Sequence, residues 1–374
     1  PSNARMSLAE FESLTATILV AILLLAALLG FVMRETRFCT VGAISDAVYL
    51  QDWTRVRQWC VAIAVAMLGF TALALWGQLQ VGDTLYASRR LLWLSALVGG
   101  ALFGAGMVLA SGCGARNLTR LGGGSLKALV VLLVMAVAAF ATLKGITAVA
   151  RVRWLDSMQL EFSTPALLPD MLAGATSWPL FATRAGLGFG VALILLVMAI
   201  NPMRGADRRW GVLLGGVLVG LCVAAAWWLS GHLGLVAEHP ETLEQVYAAT
   251  YSGRIEAFSF VSPIAHTLDW LMFFSDRSKV VTWGIASVMG MVLGSFIHAL
   301  WRGDFQWQGF ADRQDLARHL MGAMLMGVGG VTAMGCTIGQ GISAISMLSL
   351  GSFIAIAGIV LGAVLMLRYL ASRV

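Results

Sequence analysis

The chain has 374 residues, of which 59% are hydrophobic and 12% charged, with a mean hydropathy of +0.83. Soluble domains carry about a quarter charged residues, so this balance excludes an ordinary soluble domain and makes lipid the main solvent. The formal net charge is +6, but the basic residues are scattered through short loops, a pattern of membrane topology and not of nucleic-acid binding.

In chain order, residues 1–5 (Pro1-Ser-Asn-Ala-Arg5) read as an expression scar before a native Met6, and no signal peptide with a small-residue cleavage site follows. Segments of spanning length then occur near 14–33, 56–78, 91–110, 125–148, 181–200, 210–231, 280–301, 318–334 and 351–370. Between them lie four short, moderately apolar stretches, 38–50, 112–122, 258–274 and 336–349, too brief to cross. Broken backbone at membrane depth survives only where protein buries it or where it lines a cavity, so these stretches are where a pathway belongs. The expected fold is an all-α polytopic membrane protein: about nine transmembrane helices plus short re-entrant ones.

Counting Lys and Arg sets the orientation. With nine spans, fifteen of the twenty-five basic residues fall on the side of the C-terminus, among them Arg34, Arg37, Arg116, Arg120, Arg302 and the short Arg204–Arg209 loop. The C-terminus is therefore expected in the cytoplasm and the N-terminus outside.

The chain also repeats. At an offset of 223 residues (336 less 113), nine of the seventeen positions from Leu97 to Cys113 match their partners, ending on Gly112-Cys113 and Gly335-Cys336. Each copy runs on to a Gly-Ser pair, Gly124-Ser125 and Gly351-Ser352, expected to open another span. The span count puts the copies on opposite sides of the membrane, as an inverted-topology duplication requires. Residues 6–150 form the first half, 151–209 a linker with the fifth span, and 210–374 the second half, with the substrate site near the midplane between them.

Five cysteines are dispersed, with no C-x-x-C, which argues against a disulfide framework and against a zinc site. Cys60 and Cys222 sit inside ordinary spans, where a lone cysteine is a small apolar filler. The other three fall on the broken stretches: Arg37-Phe-Cys39-Thr-Val-Gly42, Ser111-Gly112-Cys113-Gly114-Ala-Arg116-Asn117, and Met334-Gly335-Cys336-Thr337-Ile-Gly339-Gln340-Gly341. Thiols in apolar surroundings stay uncharged at pH 7 and are weak donors with a soft sulfur. They suit a soft anion that must be taken from water and then released, by several weak sites in series. Glycine amides and helix N-termini after each Gly-Cys add positive dipole ends. Arg37 and Arg116 serve either to draw the anion through a cytoplasmic funnel or simply as positive-inside anchors. Asn117 and Gln340, at matching repeat positions, offer amide donors. Acidic residues near the core are few, which disfavours a cation path.

These three motifs resemble the cysteine motifs of the YeeE/YedE family, bacterial inner-membrane proteins that include thiosulfate transporters. The resemblance covers nearly the whole chain. It implies an hourglass-like bundle of two inverted halves in which thiosulfate, or a related sulfur anion, passes by hydrogen bonds to Cys39, Cys113 and Cys336. It also implies a multi-pass inner-membrane location with lipid around the bundle, and a cytoplasmic sulfur carrier of the TusA type as partner. No enzyme activity, cofactor, metal or nucleic acid is expected. The run Gly114-Ala-Arg116-Asn117-Leu-Thr-Arg120 is more basic than the family pattern, which leaves thiosulfate, sulfite or a selenium analogue open as substrate. The counterpart of Cys39 at offset 223 is Ser262, a hydroxyl in place of a thiol. Two other classes stand beside transport: a membrane thiol oxidoreductase, which lacks its dithiol here, and a non-transporting membrane partner of a sulfur carrier.

Overall fold

The computed structural model describes residues 7–200 and 210–372. Residues 1–5, expected to be an expression scar, the basic Arg204–Arg209 stretch and Arg373 lie outside them. Fourteen α-helices account for nearly all regular structure among the described residues, the rest being two two-residue strand pairs, one short 3₁₀ turn and three π-helical turns.

The first half contains α1 (Leu8–Glu35), α2 (Thr40–Ser45), α3 (Thr54–Leu75), α4 (Trp93–Leu109), α5 (Gly114–Gly122) and α6 (Leu126–Lys144). After α7 (Ile146–Trp154) and α8 (Leu168–Thr176) comes α9 (Leu180–Ile200). The remainder is α10 (Trp210–Trp228), α11 (Val261–Met272), α12 (Trp283–Arg302), α13 (Arg313–Thr332) and α14 (Leu350–Ala371). Every segment read from the sequence as spanning is a helix, and each of the four short stretches holds a short helix or π turn.

Among the described residues, eight helical stretches are long and apolar enough to cross a membrane. The ninth expected span, α13, has twenty residues but does not reach the same hydropathy. Its first turns carry Arg313, Asp315, Arg318 and His319, and its second half is rich in glycine. Asp312 caps its N-terminus, accepting from the Asp315 amide at 2.7 Å. At the other end of the chain a capping box starts α1: Ser7 Oγ accepts from the Glu10 amide, and Glu10 accepts from the Ser7 amide.

Packing runs in matched pairs. Helix α4 lies along α14 as α13 lies along α6, and α1 lies along α12 as α10 lies along α3. Helices α4 and α13 cross each other, while α9 packs mainly on α3. The repeated glycines sit in these contacts. A Cβ on Gly99 would meet the Gly329 carbonyl and the Ala333 amide, and one on Gly106 would meet the Gly322 carbonyl at 2.6 Å. Gly104 faces the Ile359 carbonyl of α14, and its repeat partner Gly327 faces the Met135 carbonyl of α6. The periodic glycines thus let four helix backbones touch where no side chain fits.

The expected Gly-Ser junction holds in only one copy. Ser125 caps α6, accepting from the Ala128 amide at 3.4 Å. In the second copy the N-cap of α14 is Ser349, and Gly351-Ser352 lies within the first helical turn. The cap-to-cap offset is 224, one more than the offset between the cysteines. The π-helical turn Gly339–Ala344 follows Cys336. A π turn holds one residue more than an α turn, so it absorbs the difference and keeps the following helix in register.

Candidate functional site

All three motif cysteines stand at the start of a short helix and after the same kind of turn. Two residues before each, a non-glycine residue takes the left-handed conformation: Arg37 (φ 52°), Ser111 (φ 54°) and Met334 (φ 56°). The following amide then reaches back five residues: Phe38 N to Met33 O (3.0 Å), Gly112 N to Met107 O (2.9 Å), Gly335 N to Gly330 O (2.8 Å). This is the Schellman arrangement that ends a helix and turns the chain sharply. Each spanning helix is stopped, and the next short helix starts at the thiol. Cys39 is the N-cap of α2 and its sulfur accepts from the Gly42 amide at 3.5 Å. Cys336 does the same for Gly339 at 3.5 Å. Cys113 caps α5 without a cap bond of its own.

Cys113 neighbours both of the other motif thiols. It is within electrostatic reach of both Cys39 and Cys336 and lies beside Thr337. Cys113 and Cys336 are buried, and Cys39 is half-buried. Arg120, in turn, feels both Arg116 and Cys39, which puts the Cys39 end next to the arginines.

Around the thiols the structure leaves several buried polar atoms without hydrogen-bond partners. They include Thr40 Oγ1, Thr337 Oγ1, Trp59 Nε1 and Asn117 Oδ1. Thr337 is close enough to influence the Cys113 thiol, yet its hydroxyl makes no hydrogen bond of regular geometry. Trp59 stacks on Phe38 with ring centres 4.7 Å apart and abuts Gly341. Buried polar groups are nearly always paired, so the Thr40 and Thr337 hydroxyls and the Trp59 indole are donors free to meet a guest, as are other unpaired atoms farther off, such as Thr15 Oγ1 and Gln58 Nε2.

The amides do other work. Asn117 Nδ2 donates to the carbonyls of Gly112 (3.0 Å) and Cys113 (3.1 Å), and Gln340 Nε2 donates to the Ala333 carbonyl at 2.7 Å. Both brace their helix break: Asn117 gives both amide hydrogens to backbone, and Gln340 gives one of its two. The motif glycines leave room at close contacts: Gly112 against Arg116, Gly335 against Gln340, Gly114 against Met135, Gly341 against Trp59.

Two vestibules adjoin the cysteine turns, one lined by Arg37 and Arg116 and the other by Met334. One, of about 500 Å³, gathers Arg34, Arg37, Arg116, Arg120 and Arg302 with Glu35, Asp304 and His298. Every one of its arginines is placed by the sequence on the side of the C-terminus. Arg34 bonds Asp304 at 3.0 Å and Arg302 pairs with Glu35, whereas Arg120 reaches the Ser111 carbonyl at 3.3 Å. Arg37 is exposed. The other vestibule, of about 360 Å³, is lined by Tyr86, Arg151, Asp156, Tyr251, Glu256 and His266 among others. Arg151 pairs with Asp156 there at 3.1 Å. Burial raises the pKa of the Glu256 carboxyl, against hydrogen bonds from Ser252 that lower it.

Neither Cys60 nor Cys222 stands at a helix-breaking turn; both lie inside long helices. Cys222 is buried on α10, and Cys60 lines an apolar crevice of about 370 Å³ between α2, α3 and α14 whose walls include Thr40 and Thr337. Trp59, Tyr86 and Ser259 were not singled out by sequence. Trp59 carries no motif, Tyr86 lies in a loop between spans, and only the Phe258-Ser-Phe260 stretch was marked as broken.

The profile of the sulphur transport family matches residues 35–365 and so takes in all three cysteine turns. The chain belongs to the sulphur transport family. It is similar to the thiosulfate transporter TsuA of Escherichia coli (strain K12), 28% identical over 352 residues, covering 91% of each chain. It is also similar to the thiosulfate transporter TsuA of Spirochaeta thermophila, 25% identical over 353 residues, covering 91% of this chain and 95% of that one.

Proposed function

We propose that this chain carries thiosulfate, or a closely related sulfur anion, across the bacterial inner membrane along the row Cys336, Cys113, Cys39. The observation that carries the reading is three helix-breaking turns whose thiols neighbour one another through Cys113, with unpaired hydroxyl and indole donors around them and two vestibules adjoining them. The thiosulfate transporters to which the chain is similar support the choice of substrate.

The anion enters the mixed vestibule, loses its water in stages, and is passed between neutral donors. Each thiol replaces one water only weakly, so no position holds the ion long. The amides of Gly42 and Gly339 and the N-termini of the short helices add positive potential without a fixed charge. Arg116 and Arg120 beyond Cys39 then meet the ion in the basic vestibule, where a rim of cations raises its local concentration and hydration allows release.

The matched packing of α1–α6 and α10–α14 supports an inverted duplication, residues 6–150 and 210–374, with 151–209 as linker. The arginine-lined mouth supports a cytoplasmic C-terminus and a periplasmic N-terminus. The same mouth is where a TusA-like cytoplasmic sulfur carrier would receive the product.

The test is uptake of labelled thiosulfate by liposomes containing the purified protein. Cys113→Ala is expected to abolish uptake while the protein stays monodisperse, since a smaller side chain fits the same space. Uptake by Cys113→Ala at the wild-type rate would reject the thiol path.

A further inference from the structure

We propose that Ser259, backed by the Tyr86 hydroxyl, is a fourth donor of the permeation path, standing beyond Cys336 as Cys39 stands beyond Cys113. The inference rests on the transport reading above and adds a residue to it.

Ser259 belongs to the irregular segment that leads into α11, the short helix that occupies in the second half the place of α2 in the first. Helix α2 packs on α14 and α11 packs on α6, the two members of one matched pair. Cys39 immediately precedes α2, and Ser259 stands two residues before α11. The neighbours Phe258 and Phe260 are fully buried, whereas Ser259 between them lines the mixed vestibule. Their rings are stacked 6.0 Å apart. Ser343 Oγ, on the π-helical turn, donates to the Phe258 carbonyl at 2.8 Å and ties this segment to the Cys336 motif.

The side chain then lies beside the Cys336 thiol on one side and the Tyr86 hydroxyl on the other. Gly339 is the residue whose amide is donated to Cys336, and a Cβ there would fall 2.8 Å from Ser259 Oγ and 3.2 Å from the Tyr86 hydroxyl. Both hydroxyls therefore crown the Cys336 turn at the floor of the vestibule, which they line. The position the repeat assigns to a hydroxyl is filled, but by Ser259 and not by Ser262, three residues on. Ser262 lies inside the first turn of α11 and lines the same vestibule higher up the helix.

Chemically the substitution is conservative in one respect and not in another. Serine and cysteine both present one donor on one carbon, but a hydroxyl is the stronger donor and holds water more firmly. A hydroxyl pair at the mouth suits the first step, when the anion exchanges bulk water for protein, and the thiols suit the drier centre. The row from mouth to mouth becomes Tyr86 and Ser259, Cys336, Cys113, Cys39, then Arg120.

The experiment is liposome uptake of labelled thiosulfate by wild-type protein, Ser259→Ala, Ser259→Cys and Tyr86→Phe, with melting temperatures recorded for each. Loss of one donor hydrogen bond is expected to slow uptake about five-fold in Ser259→Ala. Ser259→Cys is expected to recover at least half of the wild-type rate, which a merely structural serine would not predict. Tyr86→Phe is expected to lower uptake less than Ser259→Ala, and the double variant Tyr86→Phe/Ser259→Ala to be no worse than Ser259→Ala alone, because the phenol acts through the serine. Wild-type rates in a folded Ser259→Ala would overturn the proposal while leaving the thiol path standing. Should Ser259→Ala fail to fold, a Ser259→Cys that folds yet transports no faster than one-fifth of wild type would overturn it. Absence of uptake by the wild-type protein, or undiminished uptake by Cys113→Ala, would instead strike the transport reading itself.

Discussion

Gly99→Ala probes the crossing of α4 and α13, which sets the distance between two of the thiol turns. The added Cβ would lie 2.5 Å from the Ala333 amide nitrogen and 2.8 Å from both the Gly329 oxygen and the Thr332 carbonyl carbon. All three are backbone atoms, and ordinary contact begins near 3.4 Å, so the helices must separate by somewhat under 1 Å. Overpacking of this kind costs about 1–3 kcal/mol, while exchanging a helical glycine for alanine returns about 0.5–1 kcal/mol. The net expectation is a loss of about 0–2.5 kcal/mol, read as a lower melting temperature in detergent. Ala333 immediately precedes the turn that carries Cys336, so the displacement also moves that thiol relative to Cys113, and uptake is expected to fall several-fold. Gly322→Ala, with the Gly106 carbonyl and the Ala110 amide nitrogen each at 2.6 Å, should behave alike. Gly190→Ala on α9 is the contrast, since nothing lies within 4 Å of its Cβ; it should melt no lower than wild type. A Gly99→Ala protein as stable and as active as Gly190→Ala would refute the argument that backbone contact at this crossing positions the site.

Other outcomes follow from the same geometry. Cys336→Ala should abolish uptake, while Cys222→Ala and Cys60→Ala should transport at near wild-type rates in the same liposomes. Gln340→Ala removes the 2.7 Å bond to the Ala333 carbonyl and leaves a buried acceptor unpaired; a stability loss of about 1–3 kcal/mol is expected by chemical or thermal unfolding. Arg37→Gln and Arg120→Gln should slow uptake most at low ionic strength, and added inert salt should shrink the difference from wild type. Burial raises the pKa of Glu256 in the mixed vestibule, where it faces Arg151, Asp156, Tyr86, Tyr251 and His266. Its carboxyl is neutral below that pKa and repels an entering anion above it, so uptake should decline as pH rises, and Glu256→Gln should flatten that decline in a pH series.

Much of the architecture was legible because lipid imposes a simple rule: a helix that crosses must be long and apolar, and eight of the nine segments stand out by those two measures. Helix α13 shows the limit, since its charged first turns and glycine-rich second half lower its hydropathy while packing against α4 and α6 still makes it a helix. The helix breaks at the three cysteines were legible because each lies on a stretch too short to cross, with glycines flanking Cys113 and Cys336. Their shared geometry was not, because Arg37, Ser111 and Met334 have nothing in common as side chains. The bracing role of the two amides was also hidden: only coordinates show Asn117 and Gln340 donating to backbone carbonyls across their own helix breaks. Offset counting failed at Ser349 for a physical reason, since the π turn shifts the register after Cys336.

The left-handed residue ahead of each cysteine has a consequence for how such proteins are searched. Three unrelated letters occupy one dihedral, each at an expense of about 1–2 kcal/mol that glycine would avoid. A pattern written in amino acids will therefore overlook distant members whose turn is built from yet another residue. A pattern written in backbone angles (a helix ended by a positive φ, then a thiol or hydroxyl opening a short helix two residues on) would find them, and would also find pathways in which serine has taken over from cysteine.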